Sequence, residues 1–149
     1  MSDARKIIAR NRKAFHLYEI FDRYEAGLCL KGTEVKSLRD GKVSLDGAFA
    51  HFRGNELYLF NLDIPPYMHG NIHNHDPKRP RKLLLRRREL RKLRVRVLER
   101  GFTLVPLSIY FKRGWAKVEI ALARGRSRAD KKDRIKEREA RREIRRFVR

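Results

Sequence analysis

Three imidazoles and a carboxylate fall close together in the chain: His69, His73, His75 and Asp76. Such a set can ligate a divalent cation, and a metal-bound water could then cleave RNA. The four lie, however, in the run PPYMHGNIHNHDPKRPR, which is rich in Gly, Asn and Pro and has no helical or strand period. Nothing rigid would fix a coordination geometry there, so the expectation is a solvated surface excursion with no metal and no cofactor. Cys29 is the single cysteine, which excludes an intramolecular disulfide and a Cys-based zinc site. It has no motif context for a nucleophile and reads as a buried strand residue. No Gly-rich phosphate loop, paired-carboxylate signature or GxSxG elbow occurs. The chain is therefore expected to have no catalytic residues and not to be an enzyme.

The chemistry that remains is electrostatic. The 149 residues carry a formal net charge of +21, and two segments hold most of it. Residues 78–100 contain twelve Lys/Arg against two Glu, and residues 124–149 contain thirteen against five Asp/Glu. Charge concentrated in this way repels itself unless a polyanion neutralises it, and nucleic acid is the commonest such partner. A merely basic surface and an anionic membrane are the lesser alternatives. No apolar run of membrane-spanning length and no apolar leader occurs, so a soluble, cytoplasmic protein is expected.

These charges need a scaffold, and a 41% apolar fraction allows one modest core. Residues 1–12 read as a flexible basic arm. His16–Tyr24 and Gly27–Lys31 read as strands, joined by a hairpin or a bent continuous ribbon. Thr33–Gly41 reads as a short plug helix with Thr33 as N-cap and Gly41 at C′, burying Val35 and Leu38. Ala48–Phe52 and Glu56–Phe60 flank Arg53-Gly54-Asn55 as a hairpin. Leu83–Arg100 reads as a helix with Leu90, Leu93 and Val97 inward and Arg88, Arg91, Lys92 and Arg96 outward. Thr103–Phe111 and Trp115–Ala123 form a second hairpin, with Pro106 at a bulge or edge. About six strands with these two helices predict a mainly β fold, an OB-like antiparallel barrel over residues 13–123.

From Arg124 the composition changes. Acid–base spacings such as Asp130–Arg134 and Glu137–Arg141 favour helix, each contributing only ~0.2–0.5 kcal/mol. A basic tail over 124–149 is expected to be disordered alone and helical once a polyanion neutralises it.

NRKAFHLYEI (Asn11–Ile20), YEAGLCLKGTEVKSLRDGKVSL (Tyr24–Leu45) and RKLLLRRREL (Arg81–Leu90) resemble, in collinear order, the SmpB family. GFTLVPLSIYFKRGWAKVEIALARGR (Gly101–Arg126) and DKKDRIKEREARREI (Asp130–Ile144) complete the likeness. That family comprises the protein partners of transfer-messenger RNA in bacterial trans-translation, the rescue of stalled ribosomes. The resemblance implies an OB-like barrel with about three helices, which holds the tRNA-like domain of that RNA. The RNA face it implies comprises Asn11, Arg12, Lys13, His16, Glu25, Lys36, Lys82 and Leu84. Glu25 would accept hydrogen bonds from base amino groups or ribose hydroxyls, and Leu84 would pack on an unstacked base; a strand-end ion pair and ordinary core are their other readings.

The resemblance also implies a tail that enters the empty mRNA path and decoding centre. Its residues would be Arg124, Arg126, Arg128, Asp130, Lys131, Lys132, Arg134 and Lys136. Two departures stand out: Asp130-Lys131-Lys132 replaces an Asp-Lys-Arg pattern, and Ala129 stands where many members carry an aromatic residue or histidine. Arg126 or Arg128 would then supply the stacking. The expected partners are transfer-messenger RNA and the stalled ribosome, with no DNA and no membrane, and the chain a monomer. A ribosomal protein or general RNA chaperone, and a nuclease using the His69–Asp76 loop, are the alternatives.

Overall fold

Alternation of burial along Phe49–Arg53 and Glu56–Phe60 sets the pattern of the molecule: Ala50, Leu57 and Leu59 point inward and their neighbours outward. The computed structural model describes residues 4–68, 74–99 and 101–126. Within them the chain runs β1 (Arg5–Arg10), α1 (Arg12–Leu17), β2 (Tyr18–Leu28), α2 (Gly32–Arg39), β3 (Phe49–Arg53) and β4 (Glu56–Phe60). It continues with β5 (Arg81–Leu84), α3 (Arg87–Val97), β6 (Phe102–Lys112) and β7 (Trp115–Gly125). All pairings are antiparallel, in the order β3-β4-β5-β2-β7-β6, and the Ala50–Leu104 pairing of β3 with β6 closes the ring. β1 pairs with the remaining length of β6, Arg5 opposite Lys112 and Arg10 opposite Ser108. This is the expected OB-like barrel.

The barrel is filled by Leu57, Leu59, Leu62, Leu83, Ile109 and Ile120, all essentially inaccessible to solvent. One end is plugged by α2 through Leu38, and α3 adds Leu93, with Leu90 and Val97 packed beside it. α2 closes on a Schellman pattern: the Gly41 amide donates to the Leu38 carbonyl at 2.9 Å and the Lys42 amide to Ser37 at 3.0 Å. Gly41 has φ +74°, which a side chain would resist. A second, smaller core lies outside the barrel, where Ala14 of α1 rests on Val105, Leu107, Ala121 and Ala123. The short alanine side chains let α1 approach closely, so β6 and β7 are buried on both faces there.

Several expectations are corrected. Arg5–Arg10 form a strand rather than an arm, because β6 extends beyond β3 and offers them a free edge. Arg12–Leu17 are helical, since the Asn11 Oδ1 accepts from the Ala14 amide at 3.2 Å and caps the helix; the first strand starts only at Tyr18. From there to Leu28 the chain takes the bent-ribbon alternative, with an irregularity between Ile20 and Arg23, but the strand ends at Leu28 and leaves Cys29–Lys31 outside it. The residue before α2 is Lys31, not Thr33: Glu34 turns back to accept from the Lys31 amide at 2.7 Å. Leu83 and Leu84 belong to β5, and α3 begins at Arg87, because Arg81 and Leu83 are needed inside the barrel. β7 runs through Arg124 to Gly125, two residues past the expected start of the tail. Pro106 does sit at a bulge, between Pro106 and Ser108.

Candidate nucleic-acid interface

On the outer face of the long strands, cross-strand pairing builds two adjoining rows. Arg10, Ser108, Glu119 and Glu25 pair in one, and Ile7, Tyr110, Lys117, Gly27 and Leu84 in the next. Glu25 and Glu119 thus stand directly opposite each other, a repulsive arrangement unless cations intervene. Arg5 intervenes, 3.4 Å from Glu25 and 3.0 Å from Glu119. Arg23 adds a 3.5 Å contact to Glu119. The Tyr110 hydroxyl donates to Glu25 at 2.5 Å and Lys112 at 3.3 Å, while the Arg5 guanidinium lies over the Tyr110 ring. Burial alone would raise the Glu25 carboxyl; the bonds from Tyr110 and Lys112 and the charge of Arg5 outweigh it and hold it below the usual range. Burial and the bond to Glu25 together push the Tyr110 phenol far up, so it remains a donor.

Gly27, two residues beyond Glu25, leaves a notch in the second row. Leu84 closes one side of it, and a Cβ at Gly27 would lie 3.2 Å from Leu84 Cβ. Leu84 itself is 52% exposed, so it is not core. With Lys82 it lines a groove against α3, whose Arg87, Arg91 and Arg94 form the opposite rim. Lys82 is held by Glu56 at 3.0 Å. Asn11 and Arg12 line a separate groove with Arg5 and Glu119.

The structure thus brings Asn11, Arg12, Glu25, Lys82 and Leu84 onto one continuous stretch of barrel surface. Asn11 is partly spent on the fold, donating to the Pro106 carbonyl at 2.9 Å as well as capping α1. Lys13 is exposed and pairs with Asp46 at 3.6 Å, and His16 is half-buried in the last turn of α1. Lys36 lies apart, on α2 over the Tyr67 ring. Arg124 is in β7, its guanidinium 4.6 Å from the Phe102 ring centre and 5.6 Å from that of Phe21. The Arg126 amide donates to the Leu17 carbonyl at 2.9 Å. Arg128, Asp130, Lys131, Lys132, Arg134 and Lys136 lie outside the described residues, as do His69 and His73.

Sequence reasoning missed Arg5, Tyr110, Lys112 and Glu119: Tyr110 and Lys112 meet Glu25 across 85 and 87 positions of chain, and Arg5 links Glu25 to Glu119. It also missed a buried network at the plugged end. Glu34 and Arg81 are both fully buried, with Arg81 Nε 2.6 Å from Glu34 Oε2 and Arg79 2.5 Å from Oε1. Arg81 also donates to the carbonyls of Leu62 and Pro77. His75, expected in solvent, is buried: Nε2 meets the Ile64 carbonyl at 2.7 Å and Nδ1 the Thr33 hydroxyl at 2.8 Å. Both nitrogens are occupied by the fold, and among the described residues no three His, Cys, Asp or Glu converge as metal ligands.

A closed barrel with a cationic, partly apolar outer wall defines the class, a small β-barrel binder of polyanions. The comparisons specify it further. Residues 8–149 match the family model described as SmpB protein. The SsrA-binding protein of Thermobifida fusca is 57% identical over 144 residues, covering 97% of this chain and 90% of that one. That of Carboxydothermus hydrogenoformans is 52% identical, covering 97% of each. A chain from a solved tmRNA–SmpB structure concerned with the centre of the bacterial ribosome superposes with TM-score 0.69 at 56% identity. The match covers 85% of this chain and 93% of that one. The chain belongs to the SmpB family.

Proposed function

We propose that this chain is an RNA-binding adaptor, which binds transfer-messenger RNA and acts with it on stalled ribosomes in trans-translation. Family membership across residues 8–149 carries this reading, and the cationic wall supplies its physical basis. Specificity for the tRNA-like domain rests on the wall. Glu25, aligned by Tyr110, Lys112 and Arg5, offers fixed acceptor oxygens to base amino groups or ribose hydroxyls. Exposed Leu84 beside the Gly27 notch gives an unstacked base an apolar seat. Arg12, Lys13 and Lys82 supply phosphate contacts, which fix register and add affinity. Asn11, which also caps α1, and His16 on that helix extend the RNA face beside the wall, and Lys36 extends the cationic surface onto the plug helix.

Residues 5–125 form the RNA-gripping unit in this reading, and the basic residues from Arg126 onward stand in for the missing codon–anticodon pairing in the mRNA path and decoding centre. The protein itself makes and breaks no bond, and it works in the cytoplasm, where its RNA and ribosome partners are. Among the described residues no helix is long and apolar enough to cross a membrane.

The test is binding to the isolated tRNA-like domain against an unrelated RNA of equal length, at two salt concentrations. Wild type should prefer the tRNA-like RNA, and a chain truncated after Arg128 should keep that preference while losing rescue activity on ribosomes. Equal binding of both RNAs, tracking only charge and salt, would overturn the adaptor reading.

A further inference from the structure

The outer face of the β3–β4 hairpin has a different composition from the wall. Its outward residues are Phe49, His51 and Arg53 on β3 and Glu56, Tyr58 and Phe60 on β4, paired in register. Phe49 and Phe60 stack with ring centres 5.5 Å apart, and Tyr58 follows 6.5 Å from Phe60. The Arg53 guanidinium lies 4.9 Å from the Phe60 ring centre and 5.4 Å from that of Tyr58. In the ring of strands this hairpin lies across the barrel from β2 and β7, which carry Glu25 and Glu119. Neither the sequence pattern that suggested an RNA face nor the wall described above uses these aromatics.

We propose that this face is a stacking platform for the bases of single-stranded RNA, its rings distinct from the wall that grips the tRNA-like domain and meeting that wall only at the Lys82–α3 groove. Three features favour nucleobases over a protein partner. No aliphatic side chain faces outward on the hairpin, whereas a protein-docking patch is normally built around buried apolar anchors. Apart from Glu56, whose carboxylate is paired with Lys82 at 3.0 Å, the outward groups are rings and a guanidinium, flat surfaces that stack on any base. The platform also adjoins cations placed for phosphates. Arg94 of α3 is hydrogen-bonded to Asn55 in the hairpin turn, and Arg91 and Arg87 follow toward the helix N-terminus on the same groove. Across that groove from the α3 arginines, Lys82 pairs with Tyr58 across β4 and β5. A strand of RNA laid over the rings therefore meets positive charge on the α3 and β5 sides.

The inference goes beyond the adaptor reading, because it concerns single strands rather than the tRNA-like fold. The test uses full-length protein and a short oligouridine carrying 5-iodouridine. Ultraviolet crosslinks on wild type are mapped by mass spectrometry, and affinity is titrated at rising salt, where charge-only binding fades and stacking persists. Crosslinks at Phe49, Tyr58 or Phe60 are expected. Phe49→Ala with Phe60→Ala should lower oligouridine affinity about tenfold or more, with affinity for the tRNA-like RNA within about twofold. Phe49→Tyr with Phe60→Tyr, which keeps the rings, should restore it. Crosslinks confined to α3 or the tail, or an unchanged oligouridine affinity in the alanine variant, would overturn the proposal. So would equal loss toward both RNAs, or a self-association that the alanine variant abolishes while oligouridine binding persists. If wild type fails to prefer the tRNA-like RNA but the platform results hold, the adaptor reading falls and this inference stands.

Discussion

Two glutamates in this barrel are each gripped by more than one cation, yet they do different work. Glu34 sits at the plugged end, fully buried, between Arg81, Arg79 and the Lys31 amide. Glu25 sits on the outer wall, its side chain 29% exposed, between Arg5, Lys112 and the Tyr110 hydroxyl. The first network is sealed: Arg81 spends its remaining donors on the carbonyls of Leu62 and Pro77, so it can only hold elements together. The second is open to solvent on one side, so its partners aim the carboxylate without enclosing it. Burial decides whether a polar hub can only be a joint or can also serve, as proposed for Glu25, as a reader. A buried ion pair is costly to break because the surviving charge stays desolvated, while an exposed one is screened and contributes little to stability.

The comparison is broken most severely at Glu34. Glu34→Gln leaves the fully buried Arg81 guanidinium without its counter-charge and should cost about 3–5 kcal/mol in chemical denaturation. A loss below about 1 kcal/mol would show that the network is not a joint. The same contrast has a pH signature. Burial pushes the Glu34 carboxyl up, but hydrogen bonds from Arg79, the Lys31 amide and Arg81 outweigh it and hold it below its ordinary 4.5. A carboxyl depressed in the fold stabilises fully above its unfolded value, and the gain is lost as the pH falls through the folded one. Wild-type stability should therefore decline as the pH drops below 4.5, and Glu34→Gln should flatten that limb in acid titrations of unfolding.

Glu25→Gln should show the reverse signature. It removes one charge from a half-exposed cluster in which Glu119 still engages Arg5 and Arg23, so stability should move by no more than about 1 kcal/mol. Affinity for the tRNA-like RNA should fall about tenfold, the worth of a hydrogen bond to a charged group, measured by filter binding or fluorescence. A large loss of stability with unchanged RNA affinity would make Glu25 a second joint.

What the sequence discloses follows the same division. Strand-turn-strand patterns around Gly54 and Gly114 gave the β3–β4 and β6–β7 hairpins within a residue or two, their number suggested the barrel, and the family likeness singled out the acid at position 25. These features depend on neighbours in the chain. The partners of the two glutamates do not: Glu34 meets Arg81 across 47 positions and Glu25 meets Tyr110 across 85. Arg81 was hidden for a further reason. It lies in a basic run, where an arginine reads as solvated, and only the inward turn of β5 reveals it as core. His75 was misread likewise, since a Gly/Asn/Pro context does not disclose that Thr33 and Ile64 wait for its two nitrogens. His16 and Leu17 failed by competition: the aromatic-rich run His16–Tyr24 favours a strand, but the Asn11 cap and the small Ala14 under a tight helix decided otherwise.

The smallest effect tests whether the wall depends on shape as well as charge. Gly27→Ala places a Cβ 3.2 Å from Leu84 Cβ, a contact tighter than side chains normally accept. Leu84 is exposed on its outer side and can yield by a few tenths of an ångström. The strain is then modest, and it is offset by the ~0.5–1 kcal/mol that alanine gains over glycine through a less flexible unfolded chain. Stability should therefore stay within about 0.5 kcal/mol of wild type. The notch beside Glu25 is filled, however, and Leu84 is displaced, so a base seated there loses its fit. Affinity for the tRNA-like RNA should drop a few-fold, with the slope of log affinity against log salt unchanged because no phosphate contact is touched. A loss accompanied by a changed salt slope would mean that the substitution disturbs the cations around Glu25, and the wall would then read charge alone.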